Sequence, residues 1–163
     1  MGRKVLAVIL GYVVLAVVVM GGLTIVYLAL GQDRVFEAGT YEVTGMWMVV
    51  WGAASVIAAL AGGYVTAKIG KSKGAVISLL VLIAVLGTAN TAYMMTRETP
   101  AEDLIRIGDT SNMEAMTKAQ APTWMYIVEP LIGVFGAMFG ASLGCGCRAG
   151  KGSCDVGAGG SET

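Results

Sequence analysis

Histidine is absent from this chain of 163 residues. Without an imidazole, the chain excludes an internal Ser-His or Cys-His nucleophile pair, and it excludes any zinc site that needs its own histidine ligands. A glycine-rich phosphate-binding loop and a dinucleotide-binding fingerprint are also missing from the sequence. We therefore expect a protein that is not an enzyme, with no cofactor and no nucleic-acid partner.

Charge is also scarce, since only 13% of the residues are charged, against the ~25% that is typical of soluble domains. Four long segments hold a single acid between them, at residues 5–30, 43–67, 74–96 and 122–145. Each exceeds the ~20 apolar residues that cross a bilayer core as a helix, and backbone groups in lipid need the internal hydrogen bonds of a helix. The sequence thus predicts an all-α fold, an integral membrane four-helix antiparallel bundle over residues 1–147. A flexible cytoplasmic tail is predicted over residues 148–163.

The few charges fall unevenly on the two sides of the predicted bundle. One side carries the basic residues Arg3, Lys4, Lys68, Lys71, Lys73, Arg148 and Lys151, and the opposite side carries most of the acids. Because basic loops stay in the cytoplasm, we expect both termini to be cytoplasmic and the chain to lie in a bacterial inner membrane. Trp47, Trp51 and Trp124 fall near the predicted outer ends, where amphipathic rings prefer to sit. A cleaved secretory signal is the alternative for the first segment, although its apolar run is longer than the ~7–15 residues of a signal core.

The longest predicted link lies between the third and fourth spans, on the outer side. Thr99–Glu102 and Ser111–Glu114 both have the capping-box pattern that begins a helix. We therefore expect two short helices in this link, Pro100–Ile107 and Asn112–Gln120. They form either a packed connector or a lid and docking surface.

Glu129 and Pro130 place an acid and an imino acid inside the fourth span. Pro130 has no backbone N–H, so the carbonyl of Tyr126 is predicted to lose its helical partner. Charged side chains inside membrane spans are unfavourable and often functional. At 1.5 Å per residue, Glu129 lies ~9 Å below the outer boundary, and the same count brings Asn90 and Thr24 to that level. We predict an intramembrane polar cluster of Glu129, Asn90, Thr24, Thr88 and Thr91.

This predicted cluster has three interpretations. In the first, the carboxyl group of Glu129 forms a hydrogen bond with Asn90 and only fixes the packing. In the second, Glu129 binds a proton or a cation, as in a small transporter or channel. In the third, the acid reaches interfacial water and has no role.

Small residues recur at four-residue spacing on the second and fourth spans. The predicted packing residues are Gly133, Gly136, Gly140, Gly144, Ala54, Ala58 and Gly62. Small side chains at this spacing let two helix backbones approach closely. The pattern predicts a glycine zipper, which lies either within one chain or at the seam of a homo-oligomer or a larger membrane complex.

The three cysteines, Cys145, Cys147 and Cys154, lie at the end of the fourth span and in the tail. Disulfides are disfavoured on the predicted cytoplasmic side. Thiolates are soft metal ligands, so a metal site completed by a further ligand is one interpretation. Free thiols in a loose tail are the other.

The segment GGYVTAKIGKSKG (Gly62–Gly74) resembles the loop between helices 2 and 3 of major facilitator transporters. The residues that fit that loop are Gly63, Lys68, Gly70 and Lys71. Ala67 stands where the family has an aspartate, and Ser72 replaces one basic residue. The whole layout resembles small uncharacterised bacterial four-helix inner-membrane proteins. That resemblance implies a location and a fold, not an activity.

The leading functional expectation is a non-enzymatic protein of the lipid bilayer. It would pack through its glycine-rich helix faces as an oligomer or as an accessory subunit. The alternative is a small proton- or cation-linked transporter or channel that uses Glu129. A weaker alternative is a thiol- or metal-binding membrane protein that uses the cysteines.

Overall fold

The computed structural model describes residues 2–96, 105 and 112–144. Its helices are α1 (Gly2–Leu30), α2 (Gln32–Val35), α3 (Gly45–Gly70), α4 (Lys73–Thr96), α5 (Asn112–Lys118) and α6 (Thr123–Gly144). Four of them, α1, α3, α4 and α6, are long and apolar enough to cross a membrane. Strand pairing within the described residues is limited to isolated bridges. The prediction of an all-α membrane protein with four membrane-length helices is confirmed.

The link between α4 and α6 is described only in part. The second predicted helix of this link is present as α5, which begins at Asn112 and ends at Lys118. Of the first, Pro100–Ile107, only Ile105 is described, and it pairs with Thr40 in an isolated bridge. The predicted tail over 148–163 lies outside the described residues.

The helix α3 is the centre of the bundle, since it packs along α1 on one side and along α6 on the other, while α4 packs mainly on α6. Its first turn is capped by Thr44, whose hydroxyl accepts a hydrogen bond from the backbone N–H of Trp47 at 3.3 Å. Its last turn is closed by Lys71, which adopts a left-handed conformation with φ 46° and donates its N–H to the carbonyl of Ala67. Both ends of α3 therefore have partners for backbone groups that a helix terminus leaves open.

Large apolar side chains cover the outside of the bundle. Val17, Ile25, Val49 and Phe135 are 65%, 69%, 72% and 62% exposed. In water such a surface would be a large unfavourable apolar patch. On helices of membrane length it is the surface that contacts lipid.

Small residues bring α1 and α3 together. A Cβ added at Gly62 would lie 2.7 Å from the carbonyl oxygen of Gly11 and 3.0 Å from Cβ of Leu15. Further along, the buried Thr66 hydroxyl donates to the carbonyl of Gly62 at 2.9 Å and lies 3.3 Å from that of Ala7. Earlier residues of α1 thus contact later residues of α3.

The start of α1 and the end of α3 therefore lie together. Nε of Arg3 donates to the carbonyl of Ile69 at 3.1 Å. The neighbouring described residues Lys68, Lys71 and Lys73 are also basic. We call this end of the bundle the basic end.

The other end is closed by an aromatic cap, which we define as the buried cluster of Tyr27, Val35, Phe36, Tyr41, Val43, Trp47 and Ala115. The rings of Tyr27 and Trp47 meet edge to face with centroids 6.0 Å apart. Two backbone hydrogen bonds join the link before α3 to the link before α6, from Val43 to Gln120 at 3.0 Å and from Gln120 to Tyr41 at 2.9 Å. The cap is thus a folded layer that ties both links together.

Candidate functional site

Glu129 of α6 is bound by an indole of α3. Nε1 of Trp51 donates to Oε1 of Glu129 at 2.9 Å. At 1.5 Å per residue, Trp51 lies ~9 Å along α3 from Gly45, and Glu129 lies ~9 Å along α6 from Thr123. The two helices start together at the cap, so this equal depth is what lets the two side chains meet.

The backbone gap at Pro130 is filled by α4. The hydroxyl of Thr91 lies 2.6 Å from the carbonyl oxygen of Tyr126, which Pro130 leaves without a helical donor, and 3.0 Å from that of Gly87. A hydroxyl has one proton, and the shorter distance marks Tyr126 as its main acceptor. Gly87 also makes room for the proline, because a Cβ there would lie 2.8 Å from Cβ of Pro130.

A cavity of about 250 Å³ lies beside these two contacts. All four membrane-length helices border it, through residues that include Tyr12, Ser55, Leu86, Asn90 and Glu129. At ~30 Å³ per water molecule, this volume equals roughly eight waters. Leu86 is 42% exposed and Asn90 is also exposed, so the cavity opens to the outside of the bundle along α4.

The cavity gathers part of the predicted polar cluster. Glu129, Asn90 and Thr91 border it, whereas Thr24 and Thr88 do not. Thr24 is exposed, and its hydroxyl donates to the carbonyl of Met20 in its own helix at 2.7 Å. The first interpretation expects Asn90 as the hydrogen-bond partner of the Glu129 carboxyl group. The observed donor is Trp51 instead.

Sequence reasoning missed three residues of this site: Trp51, Ser55 and Tyr12. The aromatic pattern places Trp51 at the membrane interface, yet the depth count that selects Glu129 also selects Trp51. Ser55 lies one turn further along α3 on the same face, borders the cavity, and has no hydrogen-bond partner for its buried hydroxyl among the described residues. Tyr12 carried no signal, because an aromatic residue within an apolar span is equally consistent with contact to lipid.

The small residues of α6 lie against two different helices. A Cβ at Gly140 would overlap the carbonyl of Leu60 in α3, and one at Gly144 would lie 2.7 Å from the carbonyl oxygen of Tyr64. A Cβ at Gly136 would lie 2.7 Å from Cβ of Ala59, so these three glycines face α3 within one chain. Gly133 instead faces Ile83 of α4.

On α3, the predicted small residues are not the ones that lie nearest the glycines of α6. Gly62 faces α1, Ala58 borders the cavity, and Ala54 is half-buried. The α3 residues that lie nearest the glycines of α6 are Ala59, Leu60 and Tyr64, and Gly63 lies against Ala137.

The predicted thiol site lies outside the described residues, because Cys145, Cys147 and Cys154 follow the end of α6. Within residues 2–96, 105 and 112–144, no three Cys, Asp or Glu side chains are grouped closely enough to hold a metal ion.

The chemistry of the candidate site is therefore that of one carboxyl group in a small, mostly apolar cavity. The indole of Trp51 donates to the carboxyl group, and Ser55, Asn90 and Tyr12 border the same cavity. No family model, curated protein or solved structure matches this chain.

Proposed function

We propose that this chain is a small transporter or channel in which Glu129 binds a proton or a cation inside the bundle. The observation that carries the proposal is the cavity of about 250 Å³ that Glu129 shares with all four membrane-length helices. A carboxyl group that only fixed the packing would be enclosed by side chains. Glu129 instead borders a volume equal to that of roughly eight water molecules.

The charge of the cavity wall supports a cationic occupant. Glu129 is the only acid among the described residues that border the cavity, and neither lysine nor arginine borders it. A carboxylate in a low-dielectric interior is strongly unfavourable unless it is paired. A proton or a bound cation is therefore the natural counterpart of Glu129.

We propose the antiparallel arrangement and the orientation on the following support. The contact between Arg3 and Ile69 joins the start of α1 to the end of α3, and those between the cap links join the opposite ends. The basic end carries Lys68, Lys71 and Lys73. By the positive-inside rule, this end and both termini face the cytoplasm of a bacterial inner membrane, and the cap faces outward.

The packing role is the weaker candidate. Gly136, Gly140 and Gly144 are already used against α3 of the same chain, so they are not open to a second copy. A thiol or metal function would depend on cysteines that lie outside the described residues.

Charge displacement in reconstituted liposomes tests the proposal. Wild-type protein on a solid-supported membrane should give a transient current after a concentration jump in protons, Na⁺, K⁺ or a small organic amine. Glu129→Gln should give none. Thr24→Val is the matched control, because Thr24 is exposed and outside the cavity, and it should match the wild type. If no cation produces a current that depends on Glu129, the carboxyl group serves packing and the proposal is wrong.

A further inference from the structure

We infer that the occupant of the cavity is a small organic ammonium ion, an alkyl- or arylamine whose charged end lies at Glu129 and whose apolar body lies between α1 and α4. The inference rests on the proposed function, and it names the class of substrate for that same site. Two features of the cavity distinguish this class from a bare proton or a metal ion.

The acceptors at the Glu129 end suit an ammonium group. Oε1 of Glu129 already accepts from Trp51, and Oε2 has no donor within the described part of the chain. The amide of Asn90 belongs to the same cavity wall, and so does the hydroxyl of Ser55, which has no hydrogen-bond partner among the described residues. An ammonium group has three N–H donors and no acceptor, so it complements a carboxylate oxygen, an amide oxygen and a hydroxyl oxygen.

The rest of the wall suits a hydrocarbon body. Leu15, Val19, Ile83 and Leu86 border the cavity beyond the polar end, and Tyr12 borders it from α1. A metal ion would use only the oxygen ligands at the polar end, because the apolar wall offers it none. A proton alone would leave the apolar part of the volume unused.

The size of the cavity limits the body of the ligand. Its volume of about 250 Å³ lies below the ~300–1,000 Å³ of sites for drug-sized ligands. The amine should therefore carry one ring or a short alkyl chain. Phenethylamine is a suitable probe, and 2-phenylethanol is its neutral counterpart with nearly the same shape.

Isothermal titration of the full-length protein in detergent with these two compounds tests the inference. Phenethylamine should bind the wild type, and 2-phenylethanol should bind at least about tenfold more weakly, because hydrogen bonds to a charged group contribute more than neutral ones. Glu129→Gln should weaken phenethylamine binding by at least about tenfold and leave 2-phenylethanol unchanged. Tyr12→Leu should weaken it about two- to tenfold through the lost ring contact. Tyr93→Leu is the matched control, since Tyr93 is on α4, is exposed and does not border the cavity.

The outcomes separate this inference from the proposed function. If protons or alkali ions give currents that depend on Glu129 while phenethylamine does not bind, the site is an inorganic-cation site and the inference is overturned. Equal binding of both compounds that ignores Glu129→Gln would show an apolar cavity only, which also overturns it. If neither binding nor a Glu129-dependent current occurs, both proposals fail.

Discussion

The contact between α3 and α6 is built differently toward its two ends. Toward the basic end the backbones touch, since a Cβ at Gly63 would overlap Ala137 and a Cβ at Gly140 would overlap Leu60. Toward the cap, the same two helices are joined by the long side chains of Trp51 and Glu129. Small residues close one end of the contact, and large polar residues hold the other end apart.

This difference explains where the cavity lies. Without a hydrophobic effect between helices in lipid, close packing of small residues is a main source of attraction. It fixes the basic end, so the helices can separate around Glu129 without losing the bundle. The close backbone contact near the basic end thereby provides the rigidity that a binding cavity requires.

The largest effect should come from adding methyl groups where the backbones of α3 and α6 touch. Gly63→Ala and Gly140→Ala each place a methyl group against backbone rather than against a movable side chain. We expect each to lower the free energy of unfolding in detergent by about 1–3 kcal/mol or more.

Gly52→Ala is the matched control for these substitutions. Gly52 is also within α3, and a Cβ there meets nothing within 4 Å. It should be neutral or stabilise by up to about 1 kcal/mol, as expected for removing a glycine from a helix interior. Wild-type stability of Gly140→Ala would show that the backbones are further apart than the structure places them.

An intermediate effect should come from the contact between Trp51 and Glu129. Trp51→Phe keeps most of the ring and removes the N–H donor to Glu129. The loss of unfolding free energy should be about 1–3 kcal/mol, depending on the charge of the carboxyl group. Trp124→Phe is the control, because Trp124 is 56% exposed on α6.

A double-mutant cycle separates this hydrogen bond from lost packing. In a Glu129→Leu background, the effect of Trp51→Phe should fall to that of Trp124→Phe. An equal effect in both backgrounds would assign the loss to ring packing instead of the hydrogen bond.

The smallest effect should come from Thr91, which bonds α4 to α6 on the cap side of Glu129. Thr91→Val removes the hydroxyl that meets the carbonyl of Tyr126. Interhelical hydrogen bonds in membranes contribute about 0.6 kcal/mol on average and about 1.7 kcal/mol at most, so a loss within this range is expected.

Pro130→Ala provides the test of that assignment. Alanine restores a backbone N–H for the carbonyl of Tyr126, so Thr91→Val should then have a smaller effect on thermal stability. Thr96→Val is the control, because within the described part of the chain the hydroxyl of Thr96 bonds only to carbonyls of its own helix. An undiminished effect in the Pro130→Ala background would contradict this role for Thr91.

The axial positions in this fold could be predicted, whereas the rotations of the helices could not. The long uncharged segments of the sequence mark the approximate ends of the spans, and they correctly predict four membrane-length helices. Depth counting likewise placed Glu129 with Asn90. It also selected Thr24, which faces outward on α1, because depth carries no information about rotation around the helix axis.

Rotation depends on which faces pack, and the spans offered several small-residue faces at once. The spacing of Gly62 with Ala58 indicated one packing surface on α3, yet Gly62 meets α1 and its neighbour Gly63 meets α6. A helix with two adjacent small faces can pack on two partners. Only the assembled bundle decides which partner takes which face.

The hydroxyl of Thr91 has a mechanical consequence. A proline normally gives a helix a place to bend, since one backbone hydrogen bond is missing there. Here the Tyr126 carbonyl oxygen has the Thr91 hydroxyl of α4 as its partner instead, at 2.6 Å. If α6 bends at Pro130, either α4 moves with it or this hydrogen bond breaks. The movements of the two helices are therefore coupled next to the carboxyl group of Glu129.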